Sequence, residues 1–177
     1  MTSAASPAAS AHGFLELELQ CAQGLAFPPD LPLRDWVAAA LLRADPAGPA
    51  VSLGIRLVDA EESGRLNLAY RGKAGPTNVL AFPAPALPAL PAGEPRVLGD
   101  LVVCAPLVEA EASAQGKTWK AHFAHLLVHG SLHLAGFDHD NESAARVMES
   151  LETDIMDSLG FPDPYADQEL TDDERSE

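Results

Sequence analysis

The sequence predicts an α+β domain in which one small, mixed, four-stranded sheet is covered by helices, with a histidine-bearing helix at its centre. Three observations lead there. Four short segments have strand character, Phe14–Gln20, Val51–Val58, Asn78–Phe82 and Leu98–Cys104, each alternating or running apolar between turn signals. Longer stretches among and after them repeat apolar residues at helical spacing, which places helices between strands and at the end. The chain has 177 residues, is 47% hydrophobic and shows no internal repeat, which suits one domain with one core.

Each element follows from local chemistry. Residues 1–13, MTSAASPAASAHG, are small and polar, without the basic start and apolar middle of a signal peptide, so they read as a disordered extension. The domain itself is expected over 14–166. FLELELQ alternates and makes a half-exposed strand; the glycine and prolines of GLAFPPDLP end it. Leu33–Arg43 puts Trp36, Val37, Ala40 and Leu41 on one helical face, and DPAGP stops that helix. After the second strand, the Asp59 carboxylate can accept the unpaired amide hydrogens of a helix running from Ala60 to about Tyr70. The stretch from Pro83 to Pro95 holds five prolines and reads as a surface loop of polyproline type. Leu107–Gln115 is a short helix stopped by Gly116, and the histidine helix follows from about Thr118. The last helix, Glu142 to Leu159, aligns Val147, Met148, Leu151, Ile155 and Leu159, so Met148 and Met156 belong to the core. Cys21 and Cys104, far apart and outside any CxxC pattern, read as free thiols.

Charge narrows the function. The net charge is −15, yet fourteen acidic residues against two arginines fall between Asp138 and Glu177, so the acidity belongs largely to an end whose last part, 167–177, reads as a flexible acidic tail. Such a chain is a poor general nucleic-acid binder, and any RNA contact must rest on a local basic cleft. No apolar run approaches the ~20 residues of a membrane span, and cytoplasm is the default location.

The chemistry concentrates in KTWKAHFAHLLVHGSLHLAGFDH, Lys117 to His139, which holds five of the six histidines. His129 and His133 lie one helical turn apart and point within roughly 40° of each other. Gly136 then allows the left-handed turn that brings His139 back toward them. The pattern HxxxHxxGxxH offers three neutral imidazoles and leaves a fourth tetrahedral position open for water or substrate, the arrangement of a catalytic zinc site; nickel, copper and iron share the ligand type. A lone histidine on such a face would more simply be a core residue, and His122 and His125 read as packing residues, supports of the ligands or, as the least favoured alternative, ligands themselves. The zinc peptidases with HExxHxxGxxH place a general-base glutamate after the first histidine, where this chain has Gly130, so the peptidase reading lacks its proton acceptor. Asp100, polar inside an apolar strand, reads either as a carboxylate bonding a ligand histidine's second nitrogen or as an outward-facing residue.

A second stretch, LNLAYRGKAGPTNVLAFP, fixes Arg71 and Lys73 on a tight corner between a helix end and a strand. Arg71 offers a planar fork matched to phosphate, although a cation there also complements a helix dipole. Lys117 and Lys120 would extend a basic strip if all converge on the metal.

HGSLHLAGFDH, with NLAYRGKAGPTNVLAFP, LGDLVVC and the LETDIMDSLGFPDPY ending, resembles the YbeY family of bacterial endoribonucleases, the rRNA maturation factors, over roughly residues 14 to 166. The resemblance implies a metalloprotease-like α+β fold, one zinc ion per chain held by His129, His133 and His139, and a functional arginine at Arg71. It further implies cleavage of single-stranded RNA, the 16S rRNA precursor, in 3′-end maturation and ribosome quality control, with the small ribosomal subunit and assembly factors as partners. DNA and membranes are not expected partners. The competing class is a non-catalytic ribosome-assembly factor whose zinc is a structural clip; an acidic surface suits basic ribosomal proteins.

Overall fold

The computed structural model describes residues 15–86, 91 and 93–166. The expected N-terminal extension, the acidic tail and part of the proline-rich loop lie outside the described residues. Among those described, the order is β1 (Leu15–Cys21), α1 (Leu33–Ala44), β2 (Val51–Val58), α2 (Ala60–Arg71), β3 (Val79–Pro83), β4 (Arg96–Cys104), α3 (Ala105–Ala114), α4 (Trp119–Leu134) and α5 (Glu142–Ser158). The four strands form one mixed sheet in the order β1-β2-β4-β3, with β1, β2 and β4 parallel and β3 antiparallel to β4.

Strand alternation sorts the side chains onto two faces. Val51, Leu53, Ile55 and Leu57 of β2 join Leu101 and Val103 of β4 in the main core, against Trp36, Val37 and Leu41 of α1 and Phe123, Leu127 and Leu132 of α4. Met148, Ile155 and Met156 of α5 close that core from behind α4. On the opposite face Val58, Leu80, Val102 and Cys104 form a smaller cluster under Leu66 of α2. Both cysteines are free, Cys104 buried and Cys21 half-buried.

The helices begin where capping chemistry permits. The Asp59 carboxylate accepts the Glu62 amide at 2.8 Å, Thr118 Oγ1 accepts that of Ala121 at 3.1 Å, and Asn141 Oδ1 that of Ala144 at 2.9 Å. Most element bounds fall within two residues of those expected. β4 begins two residues early, at Arg96, and α3 starts directly after β4, because Pro106 suits a first helical turn, where its missing N–H costs nothing. Val147 departs from expectation: it is 57% exposed, since the buried stripe of α5 runs through Met148, Ile155 and Met156.

Candidate metal centre

Helix α4 presents His129 and His133 from successive turns on the side facing β3. The helix ends at Leu134; Gly136, at φ 103°, adopts the left-handed region, and the Phe137 amide returns to the Leu132 carbonyl at 3.0 Å. That reversal carries His139 back over the helix end. One nitrogen from each of the three rings lies within 4.8 Å of the others, and the Nε2 atoms of His129 and His133 are 3.1 Å apart. Two metal–nitrogen arms of about 2.0–2.1 Å at a tetrahedral angle place their nitrogens roughly 3.3 Å apart, so this pair has a spacing compatible with one shared metal ion. His133 has its pKa lowered, by burial first and then by the neighbouring His129 and His139, which favours the neutral ring that binds metals.

The carboxylate that supports the site comes from α5. Glu152 is fully buried, and its Oε1 accepts from His129 Nδ1 at 2.5 Å while Oε2 accepts from His125 Nε2 at 2.9 Å and from the Tyr165 hydroxyl. Burial alone would push Glu152 up, but the hydrogen bonds and charge of His125 and His129 outweigh it and hold the carboxyl at about 2. Tyr165 is pushed up in turn, by burial and by the adjacent carboxylate. Asp100 does not take this part: it is exposed on the opposite face of the sheet, lining a groove with Glu18, Arg56 and Tyr70. The one sign of Glu152 in the sequence is its register, midway between the buried Met148 and Met156 on the apolar stripe of α5.

A cleft of about 470 Å³ opens over the three histidines, and β3 and the end of α2 form its other side. Arg71, the last residue of α2, lines this cleft although it lies far from the histidines in sequence. Gly72 follows in the left-handed conformation at φ 67°, and the corner after it is tied down: Asn67 Nδ2 donates to the Gly75 carbonyl at 2.9 Å, and Ser63 Oγ donates to the Thr77 carbonyl at 2.7 Å and accepts its amide at 3.0 Å. Arg71 makes no hydrogen bond or ion pair to any described residue and is the one lysine or arginine lining the cleft. Lys73 and Lys120 are exposed and do not line it, and Lys117 donates to the Pro164 carbonyl at 2.6 Å, so the wider basic strip does not form.

Asp138 is the one carboxylate among the lining residues. The His139 amide donates to its Oδ1 at 2.7 Å, which lowers its pKa, and its hydrogen bond with Asp140 raises that of Asp140. Gly130 could not be a glutamate without rearrangement, since a Cβ there would meet Leu101 Cδ2 at 2.7 Å. His122 turns away from the cleft and bonds Glu111 at 2.7 Å.

Known proteins agree with this architecture. The family model described as Endoribonuclease YbeY matches residues 32–160. The Endoribonuclease YbeY of Methylococcus capsulatus is 49% identical over 152 residues, covering 85% of this chain and 95% of its own length. That of Alkalilimnicola ehrlichii is 50% identical over 151 residues, covering 85% and 90%. The solution structure of TM1509 from Thermotoga maritima shares the fold, with a TM-score of 0.51 and 21% identity over 81% of this chain and 91% of that one. With a matched stretch that takes in the cleft arginine and all three convergent histidines, and relatives half identical along nearly their whole lengths, the chain belongs to the YbeY family of endoribonucleases.

Proposed function

We propose that this endoribonuclease is zinc-dependent and specific for single-stranded RNA, acting in the cytoplasm on the 16S rRNA precursor in 3′-end maturation and ribosome quality control, with the small ribosomal subunit and its assembly factors as partners. The observation that carries the reading is the unpaired Arg71 on the rim of the cleft that holds the three histidines. A guanidinium without a partner among the described residues, carried at the end of a helix whose following corner is tied down, is suited to an anion, and its planar fork matches two phosphoryl oxygens. His129, His133 and His139 would hold the zinc, which when bound supplies a Lewis acid and lowers the pKa of water toward ~7.

The protein's own groups do the rest. Arg71 binds the scissile phosphate and stabilises the negative charge that grows on it, a contribution that rises as the cleft excludes water. Asp138 holds the His139 turn through one oxygen and is the one carboxylate lining the cleft. With no side chain at Gly130, the site lacks the carboxylate of the HExxH peptidases. No described helix is long and apolar enough to cross a membrane.

The test is cleavage of one RNA in single-stranded and duplex form by zinc-loaded and chelator-treated protein. The single strand should be cut, the duplex spared, and activity restored by zinc after chelation. The new ends report the nucleophile: a cyclic phosphate marks the RNA's own 2′-hydroxyl, a 5′-phosphate marks water. Zinc-loaded protein that binds small subunits but never cuts RNA would replace this reading with the non-catalytic assembly factor.

A further inference from the structure

We propose that Glu152 and Tyr165 act as a clamp that holds the His129 ring in the tautomer a metal ion requires, which makes the segment after α5 a working part of the metal centre. The inference rests on His129, His133 and His139 being the ligands, and it names the positioning residues of that site.

An ionised carboxylate only accepts hydrogen bonds, so the 2.5 Å contact from Glu152 Oε1 to His129 puts the ring proton on Nδ1. The lone pair is then on Nε2, the atom that faces His133 Nε2 across 3.1 Å. A free histidine side chain prefers the opposite tautomer, whose Nε2–H would point into the site and block a metal. The carboxylate therefore selects the competent form before any ion arrives.

Glu152 is itself held. Its second oxygen accepts from His125 Nε2 and from the Tyr165 hydroxyl. Tyr165 is delivered by a hook in the chain after α5: Lys117 Nζ donates to the Pro164 carbonyl at 2.6 Å, and Asp163 Oδ1 accepts both the Tyr165 amide at 2.9 Å and the Thr153 hydroxyl at 3.2 Å. Helix packing does not account for a charge in this place. A leucine between Met148 and Met156 would join α5 to α4 without desolvating a carboxylate, whereas a buried glutamate is tolerable only when donors converge on it, as three do here. Tyr165 lies beyond the stretch that matches the family model, which ends at residue 160.

The experiment measures zinc affinity by competition with a chromophoric chelator and the His129 tautomer by 15N NMR, in full-length, metal-stripped protein. Wild type should bind zinc and show His129 protonated on Nδ1. Glu152→Gln keeps one acceptor oxygen but loses the charge and adds a donor; it should loosen the hold on the Nδ1–H form of His129 and weaken zinc binding about 10–100-fold. Tyr165→Phe, which removes one donor and little volume, should weaken zinc binding by a smaller factor in the same direction. Wild-type protein with His129 protonated on Nε2, or variants that bind zinc as tightly as wild type, would overturn the clamp; if Glu152→Gln does not fold, Tyr165→Phe and the wild-type tautomer decide. A wild type that shows the Nδ1–H form yet binds no zinc would instead overturn the metal reading on which the clamp depends.

Discussion

Helix α4 carries three histidine–carboxylate contacts, and two of them, made by His122 through Nε2 and by His129 through Nδ1, have nearly equal lengths and very different surroundings. His122 contacts Glu111 at 2.7 Å, and His129 contacts Glu152 at 2.5 Å. Glu111, with its side chain 31% exposed, also takes the Asn78 amide at 3.0 Å, so that pair fastens α3 and α4 to the start of β3. His122 is 5% exposed, and its other nitrogen, Nδ1, has no partner among the described residues. The free nitrogen of His129 opens into a cleft beside two more imidazoles and an unpaired arginine. The comparison teaches that a carboxylate on a histidine says little about function; what the second nitrogen faces decides it.

Substituting the two histidines is the most direct way to break that contrast. His129→Ala should abolish bound zinc and RNA cleavage. His122→Ala should keep close to one zinc per chain while costing about 1–3 kcal/mol of stability, the scale for disrupting a buried hydrogen-bonded group. Metal analysis with thermal melts checks both, and equal zinc content in the two variants would erase the distinction.

Arg71 sharpens the contrast on the cleft side. Arg71→Ala should cut cleavage about 10²–10³-fold, the scale for losing one preorganised electrostatic donor, with zinc content and melting temperature unchanged. Arg71→Lys should recover part of the rate, because charge returns without the fork. A helix-end charge alone would instead cost about 0.3–1 kcal/mol of stability and leave cleavage at its wild-type rate.

A further effect concerns acid. Glu152 is held at about 2 against an ordinary 4.5, and a carboxylate depressed on folding adds stability that is complete above the unfolded value and disappears as pH falls through the folded one. Metal-free protein should therefore lose stability between about pH 4.5 and pH 2, and Glu152→Gln should flatten that limb of the curve in acid titrations followed by circular dichroism.

How much of this was legible depended on distance along the chain. The strands could be read because alternation is local, and β2 and its Asp59 cap fall where their residues indicate. The convergence of His129, His133 and His139 could be read too, since helical spacing and one glycine determine it within eleven residues. Glu152 could not. It reaches the histidines through the packing of α5 on α4, which no periodicity reports, and Asp100, for which the sequence offers both a supporting and an outward-facing reading, lies on the far face of the sheet. Arg71 stands out in the sequence for its chemistry, but only the folded corner after α2 shows that it shares the histidines' cleft. Lys117 shows the reverse case: its charge suggested a basic strip, and the fold uses it to hold Pro164.

The contact between Gly130 and Leu101 bears on how such a site can evolve. A side chain at position 130 would push into the buried Leu101, so adding the glutamate of a peptidase begins with overpacking of about 1–3 kcal/mol. The gain in helix propensity on replacing glycine, up to about 1 kcal/mol, offsets only part of it. A lineage starting here would have to shift the Leu101 side chain to admit the new carboxylate, and a smaller residue at 101 would ease the change at the cost of core packing. The two chemistries share a histidine spacing and differ at a position whose side chain would press on the core beneath the cleft.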